Sequence, residues 1–201
     1  ADKKPEPRAE KRRLGVHDFI EFKALPVALM AMMISFSYAS IMSFIATFAE
    51  SKHMLAYASM FFAVFALSMM VLRPITGKLY DRKGPNAVVY PALILFAIGL
   101  AVLAQIESVA GLLFAAVLIG MGFGSAQPCL QTISIQRSPK NRIGHATSTY
   151  FTGYDLGIAV GSIVIGMLIA DAGYSAAYLC CAALVLASLL YYKFAVAQKP
   201  A

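Results

Sequence analysis

Acidic residues are scarce in this sequence, and charge of either sign is thin. There are 10 Asp and Glu against 17 Lys and Arg, and charged residues make up 13% of 201. A soluble domain of that length needs more polar residues to cover its surface. Tryptophan is absent. Only three cysteines occur, Cys129, Cys180 and Cys181, all inside apolar runs and two of them adjacent. That argues against a disulfide framework and reads as reduced thiols that simply pack. His17, His53 and His145 are scattered without ligand spacing, so no metal site is expected. No G-x-x-x-x-G-K-[ST] loop is present, which argues against an ATP-driven pump in this chain alone. No cofactor is expected.

What the sequence does have is hydrophobicity, at 60% of its residues. Apolar runs fall at about 24–48, 55–76, 86–104, 110–136, 145–170 and 175–195. Such runs are near the ~20 residues a helix needs to cross a bilayer. Only helices or closed barrels satisfy the backbone in lipid, and these runs are too long for the ~10-residue strands of a barrel. The expected fold is all-α, an integral membrane bundle of six helices over 24–195. A basic segment, 1–23, precedes it and a short tail, 196–201, follows. The opening ADKKPEPRAEKRRLG reads as a flexible linker, not a cleavable signal. The first residue is Ala1, which reads as a processed product or a piece of a longer protein.

The net charge of +7 does not point to nucleic acid, because the cations are confined to particular segments. Sixteen of the 17 Lys and Arg lie in the N-terminal segment, the second and fourth connections, and the C-terminus. Only Lys52 lies on the other side. The positive-inside rule then predicts that both termini are cytoplasmic, in a multi-pass protein of the cell membrane. An even number of spans agrees.

The second connection, TGKLYDRKGP, crowds Lys78, Asp81, Arg82 and Lys83 between two apolar runs. The membrane rule accounts for the cations but not for Asp81, Gly77 or Gly84. Gly77 is expected to end a helix. A carboxylate at Asp81 can accept from exposed N–H groups at the start of the third span or pair with a cation. An ordinary solvated turn is the competing reading.

Deeper in the runs, Asp155 stands at about the eleventh residue of the fifth span. A charge there costs ~2.5–3.5 kcal/mol unless it faces protein or water. A carboxylate in a low-dielectric site holds its proton to higher pH, which suits proton exchange. One reading of Asp155 is a proton-coupling or substrate-contacting group. The other is a structural hydrogen bond, with Tyr154 or Thr149 as partner. Gly153, Gly157 and Gly161 in the same span are four apart, a spacing that lets helices approach closely. In the fourth span Gln127 and Gln131 share a face, and Pro128 can bend the helix. These amides fit either cavity contacts or interhelical bonds. Tyr38, among the serines of the first span, is a candidate aromatic contact for a substrate. Arg73 reads as a snorkelling cation at the end of the second span.

The order Gly77-Lys78-Leu79-Tyr80-Asp81-Arg82-Lys83-Gly84 resembles the G-x-L-x-D-R-x-G signature loop of the major facilitator superfamily. In that family the loop joins the second and third helices of a six-helix half on the cytoplasmic side. The resemblance covers about residues 20–197 and implies the second, C-terminal half of a twelve-helix transporter of the proton-coupled multidrug or sugar efflux type. It implies a small-molecule substrate, alternating access, a proton partner and an N-terminal six-helix half as partner. It also implies that Asp81 and Arg82, with Gly77 and Gly84 shaping the loop, form a breakable gate against the opposite half. The first and fourth spans would line the cavity, and the fifth would pack between the halves. The Gly-Pro pair usual in antiporter-type fifth helices is missing here.

Two other readings compete. One is a truncated or homodimeric six-helix membrane protein without transport of its own. The other is a membrane-embedded enzyme, which would need paired catalytic groups at one depth. The sequence offers one deep Asp and no deep His partner, so enzyme activity is not expected.

Overall fold

A computed structural model describes residues 21–197. Among them the regular structure is helical throughout. Helix α1 is Leu25–Ser51, with Pro26 in its first turn, where its missing N–H leaves no bond unmade. His53 takes a left-handed conformation (φ 58°), and the Met54 N–H donates back to the Ala49 carbonyl at 2.7 Å, closing the helix. A single 3₁₀ turn, Leu55–Tyr57, leads into α2, Ala58–Lys83. Helix α3 is Asn86–Leu103. Helix α4 is Val109–Gln136, and the Ser108 hydroxyl caps it by accepting from the Gly111 N–H at 3.2 Å.

Helical structure extends over Ile143–Tyr191 with one interruption, Gly173 (φ 82°, ψ 172°), which lies far outside helical geometry. A residue with a Cβ is strained at that φ, so glycine permits the reversal. The chain turns back there, giving α5 over 143–172 and α6 over 174–191, which continues as a wider turn over Tyr192–Val196. Among the described residues five helical segments are long and apolar enough to cross a membrane. The last of them, Lys140–Val196, contains the Gly173 break, so six membrane-length helices result.

The expected end of the second span at Gly77 is wrong. Helix α2 continues through Gly77 to Lys83, and the positive φ of 79° falls at Gly84. The charged decapeptide is thus mostly the last two turns of a helix. Glycine inside a helix costs only about 1 kcal/mol, and Lys, Leu, Tyr and Arg after it carry the helix onward. A left-handed residue ends it instead.

Helix α4 lies between α2 and α3. A Cβ on Gly120 would stand 2.6 Å from the Phe65 carbonyl oxygen of α2, and one on Gly122 would strike the backbone of α3 at Ala92 and Phe96. Helix α5 packs along α1. Gly153 faces the Ala28 carbonyl, Gly157 faces Met32 and Ser35, and Gly161 lies on Phe36 and Ala39. The numbers rise together, so the two helices run parallel. Helix α6 returns beside α1, where Ser37 donates to the Cys181 carbonyl at 3.1 Å. Its end meets α3, where the Tyr192 hydroxyl donates to Asn86 Oδ1 at 2.7 Å. Arg137, just past α4, donates to the Val196 carbonyl. The serines of α1 work largely as bonds to neighbours: Ser35 donates to the Tyr154 carbonyl at 2.8 Å, and Ser43 pairs with Ser162 at 2.9 Å.

Candidate functional site

A cleft of about 530 Å³ opens at the basic end of the bundle, between α2, α3 and α4. It brings together four of the expected site residues: Gly77 and Asp81 from α2, and Gln127 and Gln131 from α4. The two glutamines reach it together because i and i+4 share one helix face. Both are half-buried. Pro128 also lines the cleft, and Thr132 donates to its carbonyl at 2.9 Å.

Arg73, Thr76 and Tyr80 complete the α2 wall. The sequence reading passed over Thr76 and Tyr80 and treated Arg73 as a snorkelling cation. The signal is present: 73, 76, 77 and 80 follow helical spacing, but the expected second span stops at about 76, which leaves 77 and 80 in the turn. The Tyr80 hydroxyl donates to Gln136 Oε1 at 2.8 Å and bridges α2 to α4 at the cleft's edge. Arg73 and Asp81 supply one charge of each sign, about 12 Å apart along the helix axis at 1.5 Å per residue. Both are exposed, as is Arg82. Among the described residues neither Asp81 nor Arg82 makes an ion pair.

Three other elements of the expected site lie elsewhere. Tyr38 is 9% exposed and does not line the cleft. Its ring stacks on Phe123 of α4 at 4.0 Å and 11°, with Phe65 of α2 at 5.9 Å on it as well. Gly84 caps α2. Asp155 is exposed on α5. It stands two residues from Gly153, roughly 200° around the helix, so it points away from the α1 contact. Neither structural partner expected for it is engaged with it. Thr149 donates to the His145 carbonyl and accepts from the Glu21 N–H, while Tyr154 contributes its carbonyl to Ser35. Among the described residues no cluster of His, Cys, Asp and Glu could hold a metal ion.

The arrangement can bind and orient a polar solute through amides, hydroxyls and one charge of each sign. It has no nucleophile–base pair within its walls.

The family model described as Major Facilitator Superfamily matches residues 27–201. Among curated relatives, the uncharacterized MFS-type transporter YwoD of Bacillus subtilis is 28% identical over 127 residues, covering 60% of this chain and 28% of that protein. Multidrug resistance protein MdtG of Dickeya zeae is 27% identical over 137 residues, covering 68% of this chain and 34% of that protein. Among solved structures, a peptide transporter POT in complex with alafosfalin superposes with a TM-score of 0.72 at 21% identity, over 90% of this chain and 39% of that one. A bacterial homologue of the human drug peptide transporters gives a TM-score of 0.73 at 18% identity, over 85% and 40%. At these identities the likeness to solved structures is one of fold. The chain spans about a third of the length of the curated relatives it matches, 28% and 34% of the two named. With the signature at 77–84, a six-helix bundle and a family match across nearly every described residue, the chain belongs to the Major Facilitator Superfamily.

Proposed function

We propose that this chain is the second six-helix half of a secondary transporter that carries a small molecule across the cell membrane by alternating access, with both ends of the segment cytoplasmic. The observation that carries the reading is unequal burial. The most apolar stretches of α2 and of the segment holding α5 are each 17% buried, against 50–56% for α1, α3 and α4. Rocking two bundles around a midplane site needs one broad face that meets the other bundle and releases it. Helices α2 and α5 supply that face, and the cleft of Gln127 and Gln131 opens beside it.

Proton-coupled efflux is the form of transport proposed. Asp155 sits on the exposed side of α5 within a membrane-length helix, where a carboxylate is costly without a function or a partner. The relative's name, multidrug resistance protein, favours export. Asp81 and Arg82 lie exposed at the end of α2, free to meet the opposite half, and act as gate residues in this reading.

The first test is the intact mass of the natural polypeptide. A mass near twice 21.6 kDa is expected. A mass near 21.6 kDa shifts the reading to a homodimer, to be checked by crosslinking. The second test uses the natural polypeptide in proteoliposomes with an imposed pH gradient and a panel of lipophilic cationic dyes. Asp155→Asn is expected to abolish gradient-driven dye movement while leaving the protein folded. Transport with unchanged pH dependence in that variant removes Asp155 from proton coupling. Asp81→Asn is expected to shift the labelling of cysteine probes at the basic end, and unchanged labelling makes Asp81 an ordinary solvated charge.

A further inference from the structure

Glu21 lies in the stretch read from sequence as basic linker, yet it is 6% exposed, the one buried acid or base among the described residues. Its carboxylate forms an ion pair with Arg142 Nε at 2.8 Å. Its backbone N–H donates to Thr149 Oγ1 at 3.0 Å, across 128 residues of chain. The Thr149 hydroxyl in turn donates to the His145 carbonyl at 2.8 Å, and the Lys23 N–H donates to Glu21 Oε1 at 3.3 Å. One residue therefore holds the start of α5 at two points, through its side chain at Arg142, just ahead of the helix, and through its backbone at Thr149 in the second turn. Its carbonyl also accepts from the Ala24 N–H at 3.0 Å, which starts the turn into α1.

The other side of the same two turns is held by α4. Tyr150 donates to the Gln127 carbonyl at 2.9 Å, and Ser134 donates to the Ala146 carbonyl at 3.4 Å. The outer residues, Ile143, Gly144 and His145, are exposed. The break between α4 and α5 lies just before, at Ser138 and Pro139. Glu21 thus adds a hold from the α1 side to the bonds that α4 supplies.

We propose that Glu21 is a positioning residue that clamps the basic end of α5 through Arg142 and Thr149, so that the segment leading into α1 and the first turns of α5 move as one body. A pull on the chain ahead of α1 is then delivered to α5, the helix with the exposed Asp155 face. The Glu21 side chain is 7% exposed and that of Arg142 32%, so the pair suits this task through its buried carboxylate, which loses its charge partner when Arg142 is removed. The inference does not depend on the transport reading, since it concerns the attachment of α5 and is read without any substrate.

Amide hydrogen exchange on the whole chain in lipid nanodiscs tests it. Glu21→Gln is expected to speed exchange over 143–150 by about tenfold or more, while exchange over 93–100 in α3 stays as it was. The charge-swapped pair, Glu21→Arg with Arg142→Glu, is expected to restore protection to within about threefold. Rescue by the swap is what a purely packing role would not give. Unchanged exchange at 143–150 in Glu21→Gln overturns the proposal, and so does a swapped pair no better protected than either single variant. If Glu21→Gln does not fold, Thr149→Val decides, because it removes only the backbone half of the clamp. It is expected to speed exchange over 143–150 by about threefold, and no change there overturns the proposal.

Discussion

Helices α2 and α4 are nearly the same length, 26 and 28 residues, and their most apolar stretches are nearly equal in hydropathy, yet that stretch is 17% buried in one and 56% in the other. The difference lies in residue size. Helix α4 carries Gly120, Gly122, Gly124, Ser125 and Ala126 in one stretch, and α2 and α3 close onto it from two sides. Helix α2 turns Leu67, Met70, Val71 and Ile75 outward, each more than half exposed. In a bilayer, apolar content does not drive helices together, because lipid is as apolar as leucine. Small residues and hydrogen bonds do. An apolar helix rich in small residues is therefore an inside helix, and an apolar helix of large residues faces lipid or a partner.

The sharpest way to break that contrast is to empty the inside of α4. Phe123 is 3% exposed and touches three other elements, through Tyr38 at 4.0 Å, Phe96 at 5.5 Å and Tyr154 at 6.4 Å. Phe123→Ala removes the middle of this aromatic column and leaves a cavity that neither lipid nor water fills. A loss of about 3–5 kcal/mol is expected, read as a shift of the unfolding midpoint in detergent. Next comes the α1–α5 contact. A Cβ on Gly157 would collide with Ser35 Oγ and the Met32 carbonyl. Gly157→Leu is expected to cost about 2–3 kcal/mol by forcing two backbones apart. Gly144→Ala in the same helix, where a Cβ meets nothing within 4 Å, is the matched control, and it is expected to be neutral or slightly stabilising.

The two substitutions also mark what could be read in advance. The spacing of Gly153, Gly157 and Gly161 was visible because a helix repeats its face every three to four residues. The six runs were visible because a bilayer imposes one length on every span. Gln127 and Gln131 could be paired for the same reason, though nothing local placed Asp81 opposite them. The extension of α2 to Lys83 was hidden by charge. Four ionised side chains look like a loop, but Lys and Arg are good helix formers, and the helix ends only where Gly84 takes a positive φ. The stacking of Tyr38 on Phe65 and Phe123 could not be read in advance, because the sequence of α1 does not say which side meets them. Glu21 was invisible. Its partners Arg142 and Thr149 are more than a hundred residues away, and nothing local in the basic N-terminal segment marks this Glu for an ion pair.

A smaller effect tests the seam between the contrasted helices. Tyr80 of α2 donates to Gln136 of α4 at 2.8 Å, at the edge of the cleft. Tyr80→Phe removes that bond and keeps the ring. Because the group is partly exposed and water can replace the partner, the expected loss is about 0.5–1 kcal/mol. The same variant should raise amide exchange over 78–83, the last turns of α2, while the middle of α4 keeps its protection. If those last turns exchange no faster, the seam is held by packing at Gly120 and Gly124 and not by the hydroxyl.

The smallest effect expected on this chain is the most informative about α2. Met70 is 74% exposed. Met70→Ala in the chain by itself should shift stability by less than about 0.5 kcal/mol, because the side chain exchanges contacts only with lipid or detergent. In the natural polypeptide the outcome depends on what covers α2. Against a second bundle, Met70 becomes a buried side chain, and its truncation should cost about 2 kcal/mol or more. Against lipid, the cost stays as small as in the isolated chain. The proposed transporter half requires the first result. Leu186 of α6, 50% exposed, supplies the reference: on the reading that α2 and α5 form the meeting face, Leu186→Ala stays within about 0.5 kcal/mol in both settings. A cost that rises at Met70 but not at Leu186 separates a partner-facing helix from a lipid-facing one. Equal costs at the two positions would mean that the exposed face of α2 is simply its lipid face.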